Sequence, residues 1–215
     1  MNPKRKQLEE IYERLLNVYG PQNWCPADTP FEIMIGAILT QNTAWTNVEK
    51  AIVNLKQARS LNTHSILALS EEKLAKLIRP SGYFNIKAKR LKNFVCWFVD
   101  EGKFNGLNKF DDRELRCRLL KVNGIGPETA DDILLYAFER PVFVIDAYTR
   151  RLLLKMGLIN GNETYEILRK FYESSLEPDV DLFKEYHALI VRHAKEKCNN
   201  RKGCRHCVIE APLPK

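Results

Sequence analysis

Apolar residues return at helical spacing along almost the whole chain, and that regularity leaves little room for any architecture other than packed helices. Leu8, Ile11, Tyr12 and Leu15 form one stripe, and Leu91, Phe94, Val95 and Phe98 a second. Tyr165, Leu168, Phe171 and Tyr172 form a third, and Leu182, Phe183, Tyr186, Leu189 and Ile190 a fourth. Each is the buried face of an amphipathic helix, so the expected fold class is all-α. Helix starts are legible as well. Thr29 precedes Pro30 as an N-cap with proline at the first helical position, and Ser70 is followed by the acids Glu71 and Glu72. Only Pro141 to Ile145 is short, β-branched and continuous enough for a strand, and it reads rather as a buried extended connector.

Residues 114 to 139 are organised as helix, glycine turn and helix. Glu114 to Val122 carries the first helical pattern, Asn123-Gly124-Ile125-Gly126-Pro127 makes the turn, and Glu128 to Glu139 resumes the pattern. Two glycines one residue apart permit positive φ and let a phosphate approach bare backbone. The amides opening the second helix add donors and a positive dipole end. Such a turn, with Ile125 between its glycines, can grip a DNA backbone without reading sequence; a plain αα-hairpin would look much the same.

Asp146 follows four apolar residues in Val142-Phe-Val-Ile-Asp146-Ala-Tyr-Thr-Arg-Arg151, eighteen residues past Glu128. An aspartate between a buried segment and a helix is commonly an N-cap. Downstream of a glycine hairpin it is also a candidate catalytic carboxylate, and the residues alone leave both readings open.

From about Phe31 to Arg151, and again near the C-terminus, the chain resembles the helix-hairpin-helix (HhH-GPD), endonuclease III-like DNA glycosylases. Three stretches resemble the bacterial 3-methyladenine-DNA glycosylases related to endonuclease III: Gly36-Ala-Ile-Leu-Thr-Gln-Asn-Thr43, Arg79-Pro-Ser-Gly-Tyr-Phe-Asn-Ile-Lys-Ala-Lys-Arg-Leu91 and Gly124-Ile-Gly-Pro-Glu-Thr-Ala-Asp131. The resemblance implies two helical lobes with a DNA cleft between them. One is a six-helix barrel over residues 28–135; the other is assembled from 1–27 and 136–215.

The same resemblance implies Asp146 as the catalytic residue of an N-glycosylase. Lyase-competent relatives carry a Schiff-base lysine two residues after the second hairpin glycine. Glu128 stands there, so a monofunctional enzyme is expected, one that removes alkylated purines such as 3-methyladenine. Trp24, Pro26 and Trp45 fall where that branch lines its base pocket, though aromatic residues at helix boundaries are also common core residues. Gln41 and Asn42 fall where a polar side chain enters the gap left by a flipped nucleotide, with Asn42 the closer match. Lys87, Lys89 and Arg90, together with Gly124, Ile125 and Gly126, are the expected DNA contacts. A solvated helix face would give the same run of basic residues. The alternatives are a thymine or uracil mismatch glycosylase, a bifunctional endonuclease III-type enzyme, and a DNA-binding scaffold without catalysis.

Charge and cysteine usage fit that frame. Lys and Arg number 34 against 27 Asp and Glu, a net +7 suited to a polyanionic partner, here double-stranded DNA containing damaged bases. Cys198, Cys204 and Cys207 crowd the C-terminus, as in iron–sulfur relatives, but no fourth cysteine follows. Three thiolates could hold a 4Fe–4S cluster with a different fourth ligand, or no metal at all. The longest apolar run, near Phe31 to Leu39, is far short of the roughly 20 residues of a membrane span. A soluble, cytoplasmic, nucleoid-associated monomer is expected.

Overall fold

The structure, a computed structural model, describes residues 3–24, 27–197 and 209. Among these are twelve α-helices and no strand. They are α1 (Pro3–Tyr19), α2 (Pro30–Leu39), α3 (Trp45–Gln57), α4 (Thr63–Ala68), α5 (Glu71–Leu77), α6 (Phe84–Asp100), α7 (Lys103–Leu107), α8 (Asp112–Leu120), α9 (Pro127–Asp132), α10 (Ala147–Lys155), α11 (Tyr165–Glu173) and α12 (Val180–Glu196). A 3₁₀ turn, Arg79–Ser81, leads into α6, and α9 runs on through a π-helical turn, Ile133–Ala137. No helix among the described residues is long and apolar enough to cross a membrane.

The local signals operate as the sequence suggests. Thr29 caps α2 by accepting the Glu32 amide at 3.2 Å, with Pro30 in the first turn. Ser70 caps α5 by accepting the Lys73 amide at 3.2 Å. Each satisfies an amide that the helix cannot pair internally, worth about 1 kcal/mol.

The chain folds as two compact units, Cys25–Arg140 and Met1–Trp24 with Pro141–Lys215. In the first, Met34, Ile35, Ile38 and Leu39 of α2, Leu91, Phe94, Val95 and Phe98 of α6, and Ile133 to Phe138 are buried. This unit, expected as a six-helix barrel, carries eight α-helical segments because α4, α5 and α7 are separate helices of six, seven and five residues. The helices of the glycine hairpin, α8 and α9, are clamped by Arg116, whose Nε and Nη2 meet the two carboxylate oxygens of fully buried Asp131 at 2.6 and 3.1 Å. Such bidentate geometry fixes an angle as well as a distance.

In the second unit, Leu8, Ile11 and Leu15 of α1 and Phe183, Tyr186, Leu189 and Ile190 of α12 are buried. Tyr12 meets Tyr186 edge-on at 5.2 Å, and the Tyr186 hydroxyl donates to the Leu8 carbonyl at 2.8 Å. Residues 142–145 are extended, form no strand and are buried. Phe143 stacks on Tyr172 at 3.8 Å, so the connector is part of this unit's core. That is why the division falls after Arg140 instead of near residue 135.

One expected surface residue lies in the interior. Lys87 is 1% exposed, and its Nζ donates to the carbonyls of Leu39 and Ser81 at 2.8 and 2.7 Å. It closes the C-terminal end of α2 and the 3₁₀ turn, where a cation complements the helix's negative pole. A phosphate cannot reach this amine, so the expected phosphate contact at Lys87 is corrected to a structural lock. Burial, reinforced by the Arg90 cation, pushes its pKa from 10.5 down to about 8.

Replacing Lys87 with Met keeps the stem and leaves two carbonyls unsatisfied, at about 1–3 kcal/mol each. Urea denaturation should show this loss. The folded state sheds the Lys87 proton where the unfolded chain still holds it. Wild-type stability should therefore rise relative to Lys87→Met as pH increases from about 8 toward 10.5.

Candidate active site

Within the unit Cys25–Arg140, the glycine turn is held from beneath by a polar latch. Gly124 has φ +98°, and a Cβ there would overlap Cβ, Cγ and Cδ of Arg90. Only glycine fits both the backbone and the space. The Gln41 amide nitrogen donates to the Gly124 carbonyl and to Thr129 Oγ1, each at 3.0 Å, and its Oε1 accepts from Arg90 Nη1. The loop after α2, the start of α6 and the turn are thereby joined through one side chain.

Two of the expected DNA contacts are engaged within the protein. Gln41 has its amide committed to the turn. Ile125 is buried, and its amide donates to the Val122 carbonyl at 3.0 Å, so it anchors the turn and offers a phosphate neither side chain nor N–H. Gly126, exposed and extended, caps α9 with no side chain, and Pro127 and Glu128 follow it in the exposed first turn. Asn42 is exposed beside the latch with φ 54°, left-handed backbone that asparagine tolerates. Lys89 is exposed and Arg90 partly so.

Trp45 opens α3 with its ring against Gly36, where a Cβ would stand 3.3 Å from ring carbon Cη2. The glycine therefore sets how closely the indole lies on α2.

Sequence reasoning missed Tyr83. It stands at the N-cap of α6 with φ 46° and is 70% exposed, directly after Gly82 at φ 67°. A non-glycine residue in such backbone costs on the order of 1–3 kcal/mol and persists where its surroundings enforce it. An exposed aromatic ring three turns or fewer from Lys89 and Arg90 suits stacking on a nucleobase beside a phosphate. The signal was present in the sequence as an aromatic residue following a glycine at a helix start.

Within the other unit, Asp146 is the N-cap of α10, accepting the Thr149 amide on Oδ1 at 2.7 Å. Its Oδ2 lies 3.6 Å from Nε2 of His187, on α12, and its side chain retains 15% exposure. Burial pushes the Asp146 carboxyl up. The facing His187 imidazole, with the Thr149 amide, outweighs it and holds the group below the usual carboxylate range. Asp146 is therefore a pre-formed carboxylate with one oxygen spent on the helix and the other turned to an imidazole. His187 was also missed by sequence reasoning. It interrupts the apolar stripe of α12 between Phe183 and Ile190, which marks a buried polar residue but not its partner.

Trp24 is exposed at the end of a segment whose Gln22 and Asn23 amides both donate to the Glu185 carboxylate, at 2.5 and 3.2 Å. Pro26, Cys198, Cys204 and Cys207 lie outside the described residues.

The model of the HhH-GPD superfamily of base excision DNA repair proteins matches residues 35–178. A candidate DNA repair glycosylase of Methanocaldococcus jannaschii is 47% identical over 210 residues, covering 96% of each chain. Endonuclease III of Sulfolobus acidocaldarius is 28% identical over 83% of this chain and 79% of its own. Among solved structures, the H. pylori 3-methyladenine DNA glycosylase bound to 1,N6-ethenoadenine is 33% identical with a TM-score of 0.75, over 87% of this chain and 97% of that one. With the family model matching well over half of the sequence, the chain belongs to the HhH-GPD superfamily and is an endonuclease III-like DNA glycosylase of base excision repair.

Proposed function

We propose that this glycosylase is monofunctional, releases alkylated purines such as 3-methyladenine from double-stranded DNA by hydrolysis, and leaves the strand uncut. The observation that carries the reading is Asp146: a carboxylate kept charged at the mouth of α10, with its Oδ2 uncommitted to the helix. As the glycosidic bond breaks, its electron pair leaves with the base and positive charge develops on the sugar. A fixed carboxylate stabilises that charge and accepts the proton of the water that adds to C1′.

An alkylated purine of this kind is already cationic, so it departs as a neutral base without a proton donor. Trp45, laid on Gly36, presents an aromatic face suited to a flipped cationic base; Trp24 presents an exposed ring in the other unit. The 33% identity to a 3-methyladenine DNA glycosylase over nearly its whole length supports the same substrate class. Glu128 supports hydrolysis without strand cleavage, because a carboxylate forms no imine with C1′. Asn42, Lys89, Arg90 and the backbone of Gly124 and Gly126 are the DNA contacts on this reading.

Asp146→Asn separates chemistry from folding, since asparagine caps helices as well as aspartate does. Base release from methylated DNA should fall by about 100-fold to 10,000-fold with duplex affinity retained; activity near wild type would reject Asp146 as the catalytic group. On methylated duplex the wild type should yield breaks only after alkali, and borohydride should trap no covalent adduct. An adduct, or cleavage without alkali, would mean a bifunctional enzyme, and release of uracil or thymine from mismatches in preference to methylated purines would move the substrate to the pyrimidine class. Lys89→Ala should lower the slope of log affinity against log salt by about 0.9, the loss of one phosphate contact. Lys87→Met should leave that slope unchanged.

A further inference from the structure

The imidazole facing Asp146 has a role beyond filling the core. His187 is 8% exposed on a helix whose neighbouring inward residues are Phe183, Tyr186 and Ile190. Burying a polar ring there is costly, and its Nε2 lies 3.6 Å from Asp146 Oδ2. The two carboxylate oxygens therefore have separate duties. Oδ1 is held by the Thr149 amide at 2.7 Å and maintains α10. Oδ2 is the oxygen left for the reacting sugar, and its orientation about χ2 is set from the His187 side.

The remaining wall is aromatic. Phe143 stacks flat on Tyr172, and Tyr186 meets Tyr172 edge-on at 5.6 Å. The titratable groups turned toward this corner are His187 and Tyr186 of α12 and Tyr165 and Tyr172 of α11, Tyr165 accepting the Ile145 amide at 3.4 Å. Burial, reinforced for Tyr172 by the Asp146 charge, pushes Tyr172 and Tyr186 well above the ordinary tyrosine value.

We propose that His187 is a positioning residue for base excision: its Nε2, 3.6 Å from Oδ2 of Asp146, aims that oxygen without touching DNA. This rests on the reading of Asp146 as the catalytic carboxylate. When His187 is removed, burial of Asp146 is no longer outweighed, so the carboxylate takes up a proton at higher pH and the reaction loses its base.

The test is single-turnover base release from methylated duplex as a function of pH, for the wild type, His187→Gln and His187→Leu. The acid limb of the wild type should lie below the usual carboxylate range. In both variants it should move up by about 1–3 pH units, with the plateau rate lower for Leu, which donates no hydrogen bond, than for Gln. Affinity for undamaged duplex should not change. A merely structural histidine would alter stability and leave the acid limb in place, and that result overturns the proposal. The wild type alone gives a second measurement should the variants not fold. The Asp146 carboxyl carbon, followed by NMR, should show a second, smaller inflection that coincides with titration of the His187 ring, and a single inflection overturns the proposal. Asp146→Asn distinguishes the two failures. If it is inactive while the His187 variants keep the wild-type profile, only this inference is lost; if it is active, the assignment of Asp146 falls first.

Discussion

A carboxylate taken out of water must be met by donors or it will neutralise, and the unit that holds Asp146 is arranged around that requirement. One donor is the backbone: α10 begins where it does because Asp146 Oδ1 closes its first turn on the Thr149 amide. Facing the other oxygen is the imidazole of His187, on α12. The segment before Asp146 is extended and apolar, and its burial through Phe143 and Tyr172 fixes where the acid emerges. Capping and catalysis, which compete as readings of the sequence, are compatible here because the carboxyl has two oxygens and the helix takes one.

The unit carrying the glycine turn likewise commits polar side chains to its own backbone. Gly124 presses on the Arg90 stem, Gln41 bridges Arg90 to the turn, and Lys87, three residues before Arg90 on α6, ties down the end of α2. Each side chain looks available for DNA when only its type is considered. In the fold each spends some or all of its hydrogen-bonding capacity inside the protein. What remains exposed is a smaller set, comprising Asn42, Tyr83, Lys89 and the backbone of Gly126.

That difference explains what the sequence did and did not reveal. Helical periodicity, the Thr29 and Ser70 caps, the hairpin and Asp146 are local patterns, and local patterns are written in consecutive residues. Lys87 was misread because its charge outweighed its position. It falls on the buried side of α6, one turn before Leu91 and in line with Phe94, Val95 and Phe98, so the 3.6-residue period already placed it inward. Gln41 and His187 act through partners 83 and 41 residues away, Gly124 and Asp146, and no spacing rule reports such a pairing. Tyr83 was legible only as a glycine–aromatic pair, since its exposure depends on how the 3₁₀ turn meets α6.

Glu128 brings these strands together. It lies in the exposed first turn of α9, beside a cap that contributes no side chain. A helix N-terminus favours negative charge by about 0.3–1 kcal/mol, so a carboxylate there supports the hairpin, whereas a lysine would oppose the dipole. Near a DNA phosphate the preference reverses, because the acid repels the backbone that the turn approaches. A relative that needs an amine at this position for imine chemistry accepts the first penalty; on the reading proposed above, this chain accepts the second. On that reading the repulsion is offset by backbone amides of the turn, which bind phosphate without a side-chain charge, and by the cations of Lys89 and Arg90 on a different helix.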